Sequence, residues 1–421
     1  MKAKSVKTRP INETTVSIPG SKSISHRVAI CAALARGDST ITNLLDSEDL
    51  RHTVSALETM GAGITHNPDG TLGVTGMNGK PGQCSKPIYL GNSGTSMRLL
   101  AGVAALGSSD CELTGDERMQ QRPMGDLLNA LAQAGVEAVS RQGSGTPPVI
   151  INGKSATGGA VCLDCSRSSQ YLSALLMAGP CFKQGLSVSL ISPPVSSPYI
   201  DITMAVMKLF HVSVVRTNDL EYHVPGGQSY LAGEVAVEPD ISNASYFWAA
   251  GALSGEMVRV ANVAGDSCQG DLRFLDILRQ MGCSVAFETN SVGVKGDGPL
   301  TAVDVDMADI PDVVPTLAVV AAFARGRTMI RNIGHLRDKE CDRIHAVVSQ
   351  LTKMGIQADQ GDDWLSVTGG RPAGAVIETF NDHRIAMAFG VAGLKIPGVV
   401  VENPGCVVKS FPRFWEIFDA L

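Results

Sequence analysis

Leu278-Arg279-Gln280-Met281-Gly282-Cys283-Ser284-Val285, followed by Val292-Gly293-Val294-Lys295-Gly296, decides how the chain folds. The first piece reads as the end of an amphipathic helix, stopped by glycine and turned into an apolar strand. The second reads as a strand that closes on glycine after a polar turn. The same order returns at Leu57 and Met60-Gly61 to Val74-Thr75-Gly76, at Leu131 and Gly135 to Ile151-Asn152-Gly153, at Met207 and Phe210-His211 to Val224-Pro225-Gly226, and at Leu351 and Met354-Gly355 to Val367-Thr368-Gly369. Positions 61, 135, 211, 282 and 355 lie 74, 76, 71 and 73 residues apart, which marks a structural repeat.

Outward from these five copies, a second pattern occurs six times: a polar cluster, an alanine-rich helix, a glycine and a β-rich strand. Its glycines are Gly37, Gly107, Gly185, Gly255, Gly326 and Gly398, spaced 70, 78, 70, 71 and 72. Each unit therefore reads helix, strand, helix, strand, strand, in α/β alternation, and six units of about 70 residues fill the chain. The sixth lacks its second helix and strand, and joining the helix-like Phe414 to Leu421 to the strand-like Thr14 to Ile18 would complete it. Two domains of three units follow, 20–226 and 1–19 plus 227–421, with crossings near Pro19-Gly20 and Gly226-Gly227, where glycine permits the turns. The 421 residues, 44% hydrophobic, are enough for two cores.

A net charge of -6 argues against nucleic acid or an acidic membrane as bulk partner. The basic N-terminus is followed by no apolar run of the kind that secretion needs, and no 18 consecutive apolar residues occur, so a cytoplasmic protein is expected. The ten cysteines are scattered apart from Cys162 and Cys165, which lack a second pair or nearby histidines. They read as reduced thiols, with no metal site. Gly20-Ser21-Lys22-Ser23 lacks the upstream glycine and the Gly-Lys pair of a P-loop, which removes nucleoside triphosphates.

Six polar starts precede the alanine-rich helices: Gly20-Ser21-Lys22-Ser23-Ile24-Ser25-His26-Arg27, Gly91-Asn92-Ser93-Gly94-Thr95-Ser96-Met97-Arg98, Ser166-Arg167-Ser168-Ser169-Gln170, Asp240-Ile241-Ser242-Asn243-Ala244-Ser245, Asp309-Ile310-Pro311-Asp312 and Asn381-Asp382-His383-Arg384. Capping explains Asp240, Ser242 and Ser245. It does not explain Lys22, Arg27, Arg98, Arg118, Arg122 and Arg384, cations beside the positive ends of helices, nor the later cluster of Arg337, Lys339, Glu340, Arg343 and Lys409. Such an arrangement is costly unless it binds a ligand with several negative charges, as phosphates and carboxylates supply. The six starts are expected to converge on one cleft between the domains.

These residues resemble the EPSP synthases, a family of enolpyruvyl transferases, along essentially the whole chain. Pro19 to Arg27 is similar to the family's first signature and Leu90 to Arg98 to its second. Arg118-Met119 with Arg122-Pro123, Ser168-Ser169-Gln170, Ile310-Pro311-Asp312, Lys339-Glu340 with Asp342-Arg343, Asp382-His383-Arg384 with Ala386-Met387, and Lys409-Ser410-Phe411-Pro412 follow in family order. The resemblance implies a two-domain inside-out α/β barrel, each domain of three βαβαββ repeats. It also implies a monomer without cofactor that transfers the enolpyruvyl group of phosphoenolpyruvate to the 5-hydroxyl of shikimate 3-phosphate and releases phosphate, a step towards aromatic amino acids.

By the same resemblance, Lys22, Ser23, Arg27, Ser168, Ser169, Gln170, Ser196, Tyr199, Asp312, His335 and Lys339 are expected to bind shikimate 3-phosphate. Lys22, Gly94, Arg122, Gln170, Arg343, Arg384 and Lys409 are expected around phosphoenolpyruvate. Addition and elimination through a tetrahedral adduct needs a base for the hydroxyl, assigned to Asp312, and an acid–base group at C3, assigned to Glu340, with Lys22 a second proton donor. Lys339 and Arg343 flank Glu340 and favour its carboxylate, unless a bound anion reverses the field. Ser93 and Leu99 stand where many members have Ala and Pro, Ser197 where many have Lys, and His335 where many have Asn. Glyphosate, which competes with phosphoenolpyruvate in this family, is expected to bind against Gly94. The alternatives are a UDP-N-acetylglucosamine enolpyruvyl transferase and a catalytically silent binding module. The former usually carries Lys-Asn at Lys22-Ser23 and a loop cysteine that Arg118 to Pro123 lacks; the latter predicts broken catalytic positions.

Overall fold

The computed structural model describes residues 2–421, which form two compact units: Gly20–Glu238, and residues 2–19 together with Pro239–Leu421. Each unit has its own hydrophobic core. In the first unit the alanine-rich helices Lys22–Leu34, Gly94–Ala104 and Gln170–Ala178 are buried nearly all round, as helices without a polar face must be. Small residues let them approach closely: a Cβ on Gly102 would collide with the carbonyl of Ala174 on the neighbouring helix. The intervening helices, such as Glu48–Thr59, are amphipathic and lie outside. In the second unit Ile241–Ser254, Val314–Ala321 and His383–Lys395 take the central places.

Around these helices each unit carries three small mixed sheets. Strands such as Asp38–Thr42 and Leu186–Leu190 bury every second residue, so one face packs inward and the other meets water. The repeated sheet is seen in Gly159–Leu163, which lies parallel to Leu186–Leu190; that strand is antiparallel to Glu221–Val224, itself antiparallel to Val215–Asn218. The same order holds for Ile88–Tyr89, Cys111–Thr114, Val149–Asn152 and Glu137–Ser140.

Two steric demands explain the glycines of the repeat. Gly61, Gly135, Gly282 and Gly355 follow their helices with φ of 107°, 85°, 99° and 77°, and His211 takes the equivalent place at 62°. The strand-closing Gly76, Gly153, Gly296 and Gly369 lie against the C-terminal carbonyls of the central helices, where any Cβ would strike Ala35, Ala105, Ala252 and Ala324 respectively. Asn43, Asn262, Asn332 and Asn403, each just past a strand, also repeat with φ from 44° to 59°.

Two expectations about the crossings need correction. The chain leaves the first unit after Glu238, not at Gly226-Gly227, because Glu234–Ala236 pairs in parallel with Asp38–Thr42 and completes that sheet. Thr14–Val16 likewise pairs in parallel with Val258–Ala261, so it completes the fourth repeat instead of the sixth. The sixth sheet is closed by Ala3–Ser5, antiparallel to Val400–Glu402, which in turn pairs with Val376–Ile377. Phe414–Asp419 packs with the second core through Phe414 and Phe418.

Candidate active site

In the first unit several of the side chains expected at the site sit at or near the starts of the central helices. Ser21, Ser93 and, in the second unit, Asp240 and Asp382 are helix N-caps whose side-chain oxygens accept from Ile24, Ser96, Asn243 and Arg384 amides. Asp240 also accepts from Ser242 Oγ at 2.5 Å, and Ser245 Oγ donates to the Ser242 carbonyl at 2.7 Å, so these three residues are occupied in local capping.

Lys22 Nζ pairs with Asp49 Oδ2 at 3.1 Å, a partner that the sequence reading did not identify. Arg27 is buried; its Nε donates to Thr203 Oγ1 at 2.7 Å, Nη1 to the Ser23 carbonyl at 2.8 Å, and Nη2 to Ser173 Oγ and the Tyr199 carbonyl, both at 3.2 Å. It thereby ties the segments carrying Ser23 and Tyr199 to the helix Gln170–Ala178. Ser168 and Ser169 are buried, Gln170 opens that helix, and its Nε2 donates to Thr95 Oγ1 at 3.0 Å while Oε1 accepts from Arg98 Nη1 at 2.8 Å. Ser196, buried, holds a left-handed backbone with φ of 55° just ahead of the helix Pro198–Leu209. Such a conformation is uncommon for serine and tends to persist at functional positions.

Arg122 is buried and donates through Nη1 to the carbonyl and Oδ1 of Asn92, both at 3.3 Å. Its guanidinium lies flat on Gly94: a Cβ there would fall 2.5 Å from Cζ. Ser93 and Leu99 are both buried, and Ser93 caps the helix through the Ser96 amide. Arg118 donates to Gln121 Oε1 at 3.5 Å, within its own turn.

The second unit holds an alternating chain of charges. Arg384 Nη2 meets Asp312 Oδ2 at 2.5 Å, Asp312 Oδ1 meets Arg343 Nη1 at 3.0 Å, Arg343 Nη2 meets Glu340 Oε2 at 2.8 Å, and Glu340 Oε1 meets Lys409 Nζ at 3.4 Å. Arg343 Nε donates to the fully buried Asp382 at 2.8 Å. Three carboxylates thus hold Arg343 well above the usual guanidinium range although burial opposes its charge. Five residues from four motifs are brought together here.

His335 is buried, and burial together with Lys339 and Arg343 lowers its pKa to about 3 against the opposing pull of Asp312, so its imidazole is neutral. Lys339 is half-buried. Arg337 is drawn elsewhere, to Asp342 at 2.5 Å and the Gly361 and Asp362 carbonyls. Behind Arg384 and Asp312 sits Asp271, unnoticed in the sequence, whose carboxyl burial pushes up to about 8, helped by the charges of Asp312 and Asp240 and opposed by Arg384. The ten cysteines are free thiols; Cys162 is exposed and Cys165 buried.

Residues 7–418 match the family model described as EPSP synthase (3-phosphoshikimate 1-carboxyvinyltransferase). A 3-phosphoshikimate 1-carboxyvinyltransferase of Nostoc punctiforme is 42% identical over 411 residues, covering 97% of this chain and 96% of that protein. The solved EPSP synthase from Acinetobacter baumannii superposes with a TM-score of 0.84 at 29% identity, covering 99% of this chain and 97% of that one. The enolpyruvyl transferase NikO from Streptomyces tendae, 18% identical with a TM-score of 0.75, covers 99% and 96% and shares the fold.

Proposed function

We propose, from the premise that the chain belongs to the EPSP synthase family, that its two sets of polar residues serve one reaction. The enzyme transfers the enolpyruvyl group of phosphoenolpyruvate to the 5-hydroxyl of shikimate 3-phosphate, giving 5-enolpyruvylshikimate 3-phosphate and phosphate. The observation that carries the assignment of roles is the unbroken sequence Arg384, Asp312, Arg343, Glu340, Lys409, in which two carboxylates are interleaved with three cations.

In this proposal Arg343, Arg384 and Lys409, with Arg122, Gly94, Gln170 and Lys22, bind phosphoenolpyruvate. Ser23, Arg27, Ser168, Ser169, Gln170, Ser196, Tyr199, Asp312, His335, Lys339 and Lys22 serve shikimate 3-phosphate. Asp312 takes the proton of the 5-hydroxyl as its oxygen attacks C2, and Glu340 delivers a proton to C3, which becomes a methyl group. The adduct then loses phosphate as Glu340 recovers a C3 proton, and Lys22 supplies a proton to the bridging oxygen. Anions bound to Arg343 and Lys409 offset the cationic charge around Glu340, which favours the protonated form needed for the first step.

The neutral imidazole of His335 suits a hydrogen bond to a sugar hydroxyl. No helix of the described residues is long and apolar enough to cross a membrane, and the enzyme is proposed to act as a cytoplasmic monomer. Phosphate release measured with phosphoenolpyruvate and either shikimate 3-phosphate or UDP-N-acetylglucosamine tests the function. Turnover of the first alone is expected; turnover of the second alone, or of neither, would overturn it.

A further inference from the structure

Below the start of the helix Gly94–Ala104 lies a polar chain that the reaction does not use, made of His26, Thr53, Ser96 and Ser93, each less than 1% exposed. Ser96 Oγ approaches the Asp49 carbonyl at 3.1 Å, and a carbonyl only accepts, so the single hydroxyl proton of Ser96 points there. Ser93 Oγ at 2.6 Å and Thr53 Oγ1 at 2.8 Å must then both donate to Ser96. Thr53 has spent its proton, so its 2.8 Å contact with His26 Nδ1 requires that Nδ1 carry the hydrogen. Every proton in the chain is thereby assigned, and His26 Nε2 is left a bare, buried lone pair with no partner among the described residues.

The chain touches the reaction machinery at two places. It holds the backbone of Asp49, whose carboxylate pairs with Lys22. It also fixes Ser93 and Ser96: the capping hydroxyl takes the Ser96 amide, third in the helix, and leaves those of Gly94 and Thr95 to another acceptor.

We infer that His26 is a positioning residue: as a neutral Nδ1–H imidazole it ends a one-way hydrogen-bond chain that sets the start of the helix Gly94–Ala104, and the Lys22–Asp49 pair, in the arrangement that receives phosphoenolpyruvate. The ligand rests on the function proposed above; the proton arrangement does not. Burial, reinforced by Lys22 and Arg27 against Asp49, lowers the His26 pKa to about 3, consistent with one fixed tautomer at neutral pH. Asp49, Lys22 and Arg27 are the charged groups facing it.

The test begins with nitrogen NMR of the ligand-free enzyme, where a pyrrole-like Nδ1, a pyridine-like Nε2 and no titration from about pH 5 to 8 are expected. An Nε2–H tautomer or a titrating imidazole would overturn the inference whatever the enzyme's substrate. Apparent affinity for phosphoenolpyruvate, read as its KM at saturating shikimate 3-phosphate, follows for Thr53→Val, Thr53→Ser and His26→Phe. Losses of about tenfold are expected in the first and third, with recovery in Thr53→Ser, since one buried hydrogen bond of this kind is lost and restored. A lower melting temperature with unchanged affinity would make the chain structural only and refute the positioning role. Absence of phosphate release by the wild-type enzyme with both substrates would strike the proposed function and leave the tautomer result standing.

Discussion

The two units offer their buried guanidinium groups different acceptors. In the first, hydroxyls, carbonyls and amide oxygens receive Arg27, Arg98 and Arg122; in the second, carboxylates receive Arg343 and Arg384. Neutral acceptors leave the charge of an arginine in place for a ligand, whereas carboxylates balance it beforehand. The first arrangement suits tight binding of an anion with little proton movement. In the second, an arriving anion competes with carboxylates, and relief comes when one of them takes a proton, as an acid–base pair requires. Lys22 with Asp49 carries the second style into the first unit.

The strongest way to break this contrast is to remove one arginine of each kind. Arg343 serves Asp312, Glu340 and Asp382 at once and has a side chain only 2% exposed. Arg343→Ala leaves the fully buried Asp382 without its guanidinium partner and takes one of the cations from Asp312 and from Glu340, so activity should vanish and stability should fall by about 3–5 kcal/mol in urea unfolding. An Arg343→Ala enzyme with wild-type stability would show that the carboxylates do not depend on it.

Arg122→Ala should behave differently. Asn92, which accepts from Arg122 through two oxygens at 3.3 Å, stays neutral when that arginine is lost, so kcat/KM for phosphoenolpyruvate should fall about 100- to 1000-fold, comparable with loss of one preorganised donor, while the melting temperature moves by only a few degrees. A stability loss matching that of Arg343→Ala would erase the difference between the units.

Asp271 sharpens the comparison through pH. Its carboxyl has a pKa of about 8 in the folded protein and close to 3.8 when exposed on unfolding. Below pH 3.8 both states hold the proton and no stability is lost. Between 3.8 and 8 the unfolded chain ionises while the folded one stays neutral, so stability falls as pH rises, and above 8 the loss is complete. Asp271→Asn removes this dependence, and its stability relative to wild type should improve by on the order of 5 kcal/mol between pH 4 and pH 8. Parallel pH profiles of urea unfolding for the two proteins would show that Asp271 does not titrate in this way.

How much was legible beforehand follows the range of the interactions. The helix starts and glycine stops were readable because capping, left-handed turns and close packing on the central helices act within a repeat and recur with it. The assignment of Thr14–Val16 and Ala3–Ser5 to sheets was not, since their partners lie more than two hundred residues away and a three-residue strand has no pattern of its own. Glu234–Ala236, equally short, was hidden in the same way, with its partner strand 194 residues back in the chain. Asp49 was missed because it follows Ser47-Glu48, where it reads as an acidic first turn; its Lys22 contact depends on two helices packing side by side. Asp271 gave no signal, since a carboxylate in Gly270-Asp271-Leu272 ordinarily faces water.

The smallest expected effect concerns Gly94, where the first unit's neutral style meets the ligand. The Arg122 guanidinium occupies the space that a Cβ on residue 94 would take, with Nη1, Nη2 and Cζ all within 2.7 Å of it. Gly94→Ala therefore acts first by displacing the end of a long side chain, which can swing, and only second by intruding on the ligand. A compact phosphoenolpyruvate can follow the displaced guanidinium over part of that distance. Glyphosate, expected from the family resemblance to pack against this glycine, has less freedom to do so. Affinity for glyphosate should fall about tenfold more than affinity for phosphoenolpyruvate, a difference of one hydrogen bond or a few close contacts. Leu99 is buried in the central helix and leaves that helix with a backbone donor that a proline would remove. Competitive inhibition of wild type and Gly94→Ala, measured side by side, decides the matter. An unchanged ratio of the two affinities would mean that Arg122 absorbs the whole displacement, and that residue 94 does not shape the pocket directly.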